Sequence, residues 1–134
     1  MSLCFTAKLS GQQEVPPVVT DAFGSAELEF SRNFKELHFK LVVNDLQGFT
    51  QAHIHLGIKG ENGPVVAFLF GPVMPGIDVE KKVIKGTLTR LDLVGPLSGL
   101  PLSELAKHIN AGNAYINAHT EDFPDGEIRG QIKN

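Results

Sequence analysis

The sequence has no tryptophan, one tyrosine and one cysteine. A single thiol, Cys4, excludes an intrachain disulfide, so packing must hold the fold. Charge of one sign is also missing: 12 basic and 15 acidic residues leave a formal charge of -3. That balance argues against DNA or RNA as a partner, because nucleic-acid binders carry a basic patch. No apolar run approaches the ~18 to 20 residues of a membrane-spanning helix, so no membrane span is expected. The opening MSLCF lacks the basic region and apolar stretch of a secretory signal. Internal repeats and low-complexity tracts are absent.

What the chain does have is 134 residues that are 42% hydrophobic, enough for one domain over residues 1–134. Its 14 glycines and 8 prolines punctuate short stretches rich in Val, Ile, Leu and Phe. This is the pattern of an all-β chain, and it predicts about eight strands. The first covers roughly residues 3 to 10, and QQEVPPV reads as an extended edge, since adjacent prolines cannot sit in a central ladder. SAELEFS alternates, with Ala26, Leu28 and Phe30 on the core side. Leu37, Phe39, Leu41 and Val43 share a face and predict a hairpin with it. AHIHLG is a further strand, and VVAFLF, apolar on both faces, reads as a central one. In KKVIKGTLTRLDL, Gly86 suggests a bulge or a close contact. PLSELAKHINAG is the one helix, ended by Gly112 with Lys107 and His108 in its last turn. NAYINAHT and EIRGQIK form a hairpin across EDFPDG. Short strands with one short helix in a connection predict an antiparallel Greek-key β-sandwich, with a barrel as its nearest competitor.

The same alternation concentrates polar side chains on one face. Ala52, Ile54 and Leu56 point one way, leaving His53 and His55 together on the other. In NAYINAHT, Tyr115, Asn117 and His119 oppose Ala114, Ile116 and Ala118. In the last strand, Glu127, Arg129 and Gln131 oppose Ile128 and Ile132. Residues two apart on a strand are separated by about 6.6 Å and strands by about 4.8 Å. His53, His55 and His119 can therefore meet at one ion if their strands adjoin. Three imidazoles suit Cu or Zn better than Mg or Ca. Gln51, Asn117 and Glu127 are candidates to hold the unused ring nitrogens. An open fourth position would admit hydrolytic or redox chemistry.

A blander reading accompanies each of these. The histidines can order loops as neutral groups, Tyr115 can be a packing residue with its hydroxyl satisfied, and Glu127 with Arg129 can form a structural ion pair. Glu121, Asp122 and Asp125 read as a solvated turn rather than a Ca site. GENG and PDG are turns, and no serine or cysteine stands in a nucleophilic setting.

Four segments in order, LSGQQEVPPVVTDAFGSAELEF, AHIHLGIKGENGPVV, INAGNAYINAHT and GEIRGQI, resemble the CHRD domain family, found in chordin and in many bacterial proteins. The resemblance implies an immunoglobulin-like or Cu/Zn superoxide dismutase-like sandwich and a secreted or periplasmic setting. His53, His55, His119, Glu127 and Arg129 match the family pattern. Dismutase chemistry of the usual dinuclear kind needs more histidines than the 5 present. Growth-factor antagonism is not carried over, because the cysteine-rich repeats that accompany chordin's domains are missing. The expected function is a non-enzymatic binding module with a mononuclear Cu or Zn site. Its alternative is a metal-free structural or adhesion module that meets another protein.

Overall fold

The structure, a computed structural model, describes residues 2–134. Among these residues the strands are β1 (Cys4–Ser10), β2 (Phe23–Phe30), β3 (Leu37–Leu56), β4 (Val65–Phe70), β5 (Ile77–Leu88), β6 (Ala114–Thr120) and β7 (Ile128–Gln131). The helix α1 (Leu102–Asn110) lies between β5 and β6. All strand pairs are antiparallel. Following the pairings β2, β1, β7, β6, β3 and back to β2 closes the sheet on itself, in the manner of a barrel or tight sandwich. The β1–β7 seam is thin: Ser10 opposes Arg129, and Thr6 bridges to Lys133.

β3 organises the molecule. Its first half, Leu37 to Asn44, pairs with β2 on one side and β5 on the other. Its second half, Gln51 to Leu56, pairs with β6 and β4. The sequence pattern predicts two strands here, but the chain changes partners without breaking. Asp45 (φ 56°) and Gly48 (φ 67°) absorb the bend in left-handed conformations, where the β5 and β6 registers shift.

The alternating residues predicted to point inward do so, Leu56 only in part, and Phe5 and Phe49, which the pattern does not single out, join them. Phe5, Leu28, Phe30, Leu37, Leu41, Phe49, Ile54, Ile116 and Ile128 are buried in one core, each fully buried large apolar side chain contributing about 1.5 to 3 kcal/mol. Leu102, Leu105, Ala106 and Ile109 turn one face of α1 into the same core.

Three local expectations change, and of the two readings of Gly86 the close contact holds. VVAFLF is not central: β4 pairs with β3 alone. Its second apolar face is explained by the connection that covers it, where Val94 donates its N–H to Val66 O at 2.8 Å and Leu93 and Leu97 are buried. Gly11–Gln13 forms a 3-10 turn rather than an extended edge. Arg90–Asp92 forms another, capped because Leu91 N–H donates to Thr89 Oγ1 and Thr89 N–H to Asp92 Oδ2. Gly86 makes no bulge: it lies in register opposite Phe39, and a Cβ there would come within 2.6 Å of the Phe39 ring.

Candidate functional site

Strand register builds the site in rows. Gln51 lies opposite His119, His53 opposite Asn117, and His55 opposite Tyr115 across β3 and β6. Asn117 then faces Arg129, and Tyr115 faces Gln131, across β6 and β7. These side chains share the face opposite the apolar core, as period-two alternation demands. The face is not open to water, however. His53, His55, Asn117, His119, Arg129 and Gln131 are all buried, because three loops fold over it.

Two of those loops fix the tautomers of His55 and His119. His119 Nδ1–H donates to Pro124 O at 2.8 Å, and His55 Nδ1–H donates to Gly63 O at 2.9 Å. His53 Nε2 lies 3.0 Å from Gln51 Oε1 and His53 Nδ1 lies 3.1 Å from His119 Nε2, so its one hydrogen can serve either contact, the Gln51 amide turning to match. A backbone carbonyl oxygen only accepts, so the neutral rings of His55 and His119 have their one hydrogen directed outward. Their other nitrogens, His55 Nε2 and His119 Nε2, carry lone pairs that face inward, where His53 Nδ1 meets them. His53 Nδ1 stands 3.1 Å from His119 Nε2. Asn117 Oδ1 lies 2.8 Å from His55 Nε2 and 2.9 Å from His119 Nε2. One nitrogen from each ring falls within 4.8 Å of the others, and no other group of this kind converges among the described residues.

Three ring nitrogens and Asn117 Oδ1 thus surround one small space, with the hydrogens of His55 and His119 directed away from it. Three changes satisfy these atoms: a cation at the centre, a reversed Asn117 amide whose N–H groups donate to the rings, or a reversed Gln51 amide that frees His53 Nδ1–H to donate to His119 Nε2. The donor set suits a borderline transition ion. Nitrogen and oxygen ligands at about 2.0 to 2.1 Å from such an ion sit roughly 3.3 Å apart in a tetrahedron, close to the 3.1 Å between His53 and His119. The wider spacing needs a small inward shift of one ring.

Burial keeps the rings neutral. Desolvation, followed by the neighbouring His119 and His55, pushes the His53 pKa down to about 3. His55 and His119 also fall below the ordinary histidine value, again through desolvation, although their bonds to Gly63 O and Pro124 O oppose the shift. The sequence reading assumes ordinary imidazoles, which would release a metal as pH falls through about 6.5. The buried rings keep their lone pairs to more acidic values.

Tyr115 stacks on His55 with centroids 4.7 Å apart and planes 6° off parallel. Arg129 lies over the Tyr115 ring, Cζ 3.5 Å from the centroid. Guanidinium, phenol and imidazole form a three-layer stack that holds His55 in place. The Tyr115 oxygen accepts from Gly63 N–H at 3.0 Å, which fits the packing role expected for it. Phe68 covers His53 edge-on at 4.4 Å.

Glu127 and Arg129 do not form the expected ion pair. Glu127 accepts from Thr20 Oγ1 at 2.6 Å and Thr120 Oγ1 at 2.9 Å, and among the described hydrogen bonds it holds no imidazole. Arg129 donates to Ile58 O and Asn62 Oδ1. Their opposite tasks follow from position: Glu127 precedes β7 and clamps loops, whereas Arg129 lies inside the strand.

One residue escapes the sequence reading. Glu14 is 5% exposed, its Oε2 has no hydrogen-bond partner, and burial raises its pKa to about 7 despite the opposing Arg129 charge and Asn117 amide. It packs beside Asn117 and beneath Gly126, where an added Cβ would meet Glu14 Oε2 at 2.5 Å and Asn117 Nδ2 at 2.6 Å. Its only sequence signal is a lone carboxylate in the otherwise uncharged run GQQEVPPVV.

The family model for the CHRD domain matches residues 5–132. Chordin from Xenopus laevis is 33% identical over 126 residues, and chordin from Danio rerio is 32% identical over 128. Each match covers 92% of this chain and 12% of the chordin. The chain thus spans about an eighth of the length of these relatives. No solved structure matches it.

Proposed function

The chain belongs to the CHRD domain family, and from that premise we propose that it is a non-enzymatic binding module that holds one Cu or Zn ion. His53 Nδ1, His55 Nε2 and His119 Nε2 are the nitrogen ligands, and Asn117 Oδ1 is the oxygen nearest to them. The observation that carries the reading is the convergence of one nitrogen from each ring within 4.8 Å, with the hydrogens of His55 and His119 held outward by backbone carbonyls. Gln51, Gly63 O and Pro124 O orient the rings, and Tyr115 and Arg129 brace His55. The finer fold reading, a Greek-key sandwich of the immunoglobulin or superoxide dismutase type, and a secreted or periplasmic location rest on the family resemblance.

Calorimetric titration of Cu(II) and Zn(II) into chelator-stripped, untagged protein tests the site. One ion per chain is expected, with uptake lost in a His53→Ala, His55→Ala variant. Equal weak uptake by both proteins would remove the proposal.

A metal-free structural or protein-interaction module is the second reading. It is favoured by the nearness of Glu14 to Asn117, because a protonated carboxyl can receive the reversed amide's oxygen. Melting with and without chelator separates the two readings, since only the first depends on an ion.

A further inference from the structure

Two strands pair with β3 alone, β4 and β5. β4 receives the following connection through the Val94 N–H and Val66 O, whereas β5 keeps an open edge. Register shows which of its backbone groups face that edge. Thr6 exchanges both of its backbone bonds with Lys133, so it faces away from β2. Bonding sides alternate along the antiparallel row Thr6, Glu27, Lys40, Lys85, and this turns the N–H and C=O of Lys85 away from β3. Lys81, Val83 and Thr87, at two-residue steps, share that direction. Among the described residues, no other backbone segment bonds to these four.

The same residues carry charge of one sign. On the outer face Lys85 lies opposite Lys40, Val83 opposite Val42 and Lys81 opposite Asn44. Two lysines placed directly across from each other repel. Among the described residues no ion pair answers Lys40, Lys81 or Lys85, and Glu27, the neighbour of Lys40 on β2, does not reach it. Val83, 45% exposed, stands between Lys81 and Lys85. The edge therefore reads cation, apolar, cation on the very residues whose backbone is unpaired.

A second copy of the chain does not match this pattern. Antiparallel pairing of two β5 edges about Val83 sets Lys81 against Lys85 twice, adding like-charge pairs to the one already present. A strand of opposite charge removes the repulsion and satisfies the backbone at once.

We propose that the β5 edge accepts an extended acidic segment of a partner protein as an added antiparallel strand, with carboxylates opposite Lys81 and Lys85 and an apolar side chain opposite Val83. Backbone bonds supply the affinity and the lysine row supplies the selection. Nothing in this surface depends on the imidazole site.

Three blocked heptapeptides test this in amide NMR titrations of the isotope-labelled 134-residue chain. They are acetyl-Thr-Glu-Thr-Val-Thr-Glu-Thr-amide, its analogue with glutamine for both glutamates, and the first peptide N-methylated at its glutamates and valine, which keeps every charge but cannot donate to a ladder. The first should shift the amides of Lys81 to Thr87 saturably at millimolar concentration. In low salt it should bind roughly fivefold more tightly than the glutamine peptide, the scale of two exposed ion pairs. The methylated peptide should not bind. Lys81→Gln with Lys85→Gln, a change confined to exposed side chains, should erase the preference for glutamate. Equal binding of the methylated peptide would reduce the edge to a patch of surface charge. That result, no saturable shift, shifts elsewhere, a preference unchanged in the variant, or dimerisation of the free chain through β5 would overturn the proposal.

Discussion

His53 and His119 meet nitrogen to nitrogen at 3.1 Å, and the hydrogen of His119 is turned away from that contact toward Pro124 O. Asn117 Oδ1 adds a third source of negative potential at 2.9 Å from His119. Changing Asn117→Asp fixes an oxygen there and removes the option of turning an N–H inward. Metal-free protein should then lose about 2 kcal/mol at pH 8, while Zn(II) affinity rises roughly tenfold through the added charge. Melts in chelator and calorimetric titration read the two effects separately. A purely structural network predicts destabilisation with no gain in affinity.

Acid should unfold the metal-free protein through its histidines. The unfolded chain takes up protons near pH 6.5, whereas buried His53 resists until about 3 and His55 and His119 are lowered in the same direction. Their contribution to stability is therefore complete above about pH 6.5 and is lost as pH falls below it, His53 alone contributing roughly 1 kcal/mol between pH 7 and 5 once residual water is allowed for. Glu14 works the other way. Its folded value of about 7 lies above the ordinary 4.5, so its contribution is complete below about pH 4.5 and disappears as pH rises to 7. Glu14→Gln should be more stable than the parent at pH 8 and should lose stability more steeply on acidification. Urea melts across pH 4 to 8 check both slopes, and parallel curves would show Glu14 titrating as an ordinary carboxylate.

Gly126 offers a geometric test. Its φ of 122° disfavours any side chain, and a Cβ would press on both Glu14 Oε2 and Asn117 Nδ2. Gly126→Ala should cost about 2 to 3 kcal/mol. Gly60→Ala, also at positive φ (86°) but facing open space, should cost about 1 kcal/mol. The difference in denaturation midpoints isolates the crowding of the polar interior. Equal costs would mean that the Glu14 carboxyl moves aside freely.

The sequence pattern carries the histidine face well because parity in a strand is a local property. His53, His55 and His119 need only an alternating backbone and one pairing, and the register of β3 with β6 supplies the pairing. Burial of that face is not legible in the same way. It depends on Gly63, Pro124 and Glu14, which lie in connections whose positions are set by tertiary contacts. VVAFLF illustrates the limit from the other side: two apolar faces indicate cover, and a 3-10 connection covers an edge as well as a neighbouring strand does. The Thr89 to Asp92 cap could have been read locally, but the apolar residues around it favour the strand interpretation.

The thin seam that joins Ser10 to Arg129 and Thr6 to Lys133 sets an order of events during synthesis. A nascent chain can zip β2 onto β3 early, since they are adjacent hairpin partners. It cannot close the circuit until residue 133 has cleared the ribosome. His53 and His55 leave the exit tunnel long before Pro124 and Arg129, so they wait as unassembled ligands, exposed to whatever ions or chaperones the compartment offers.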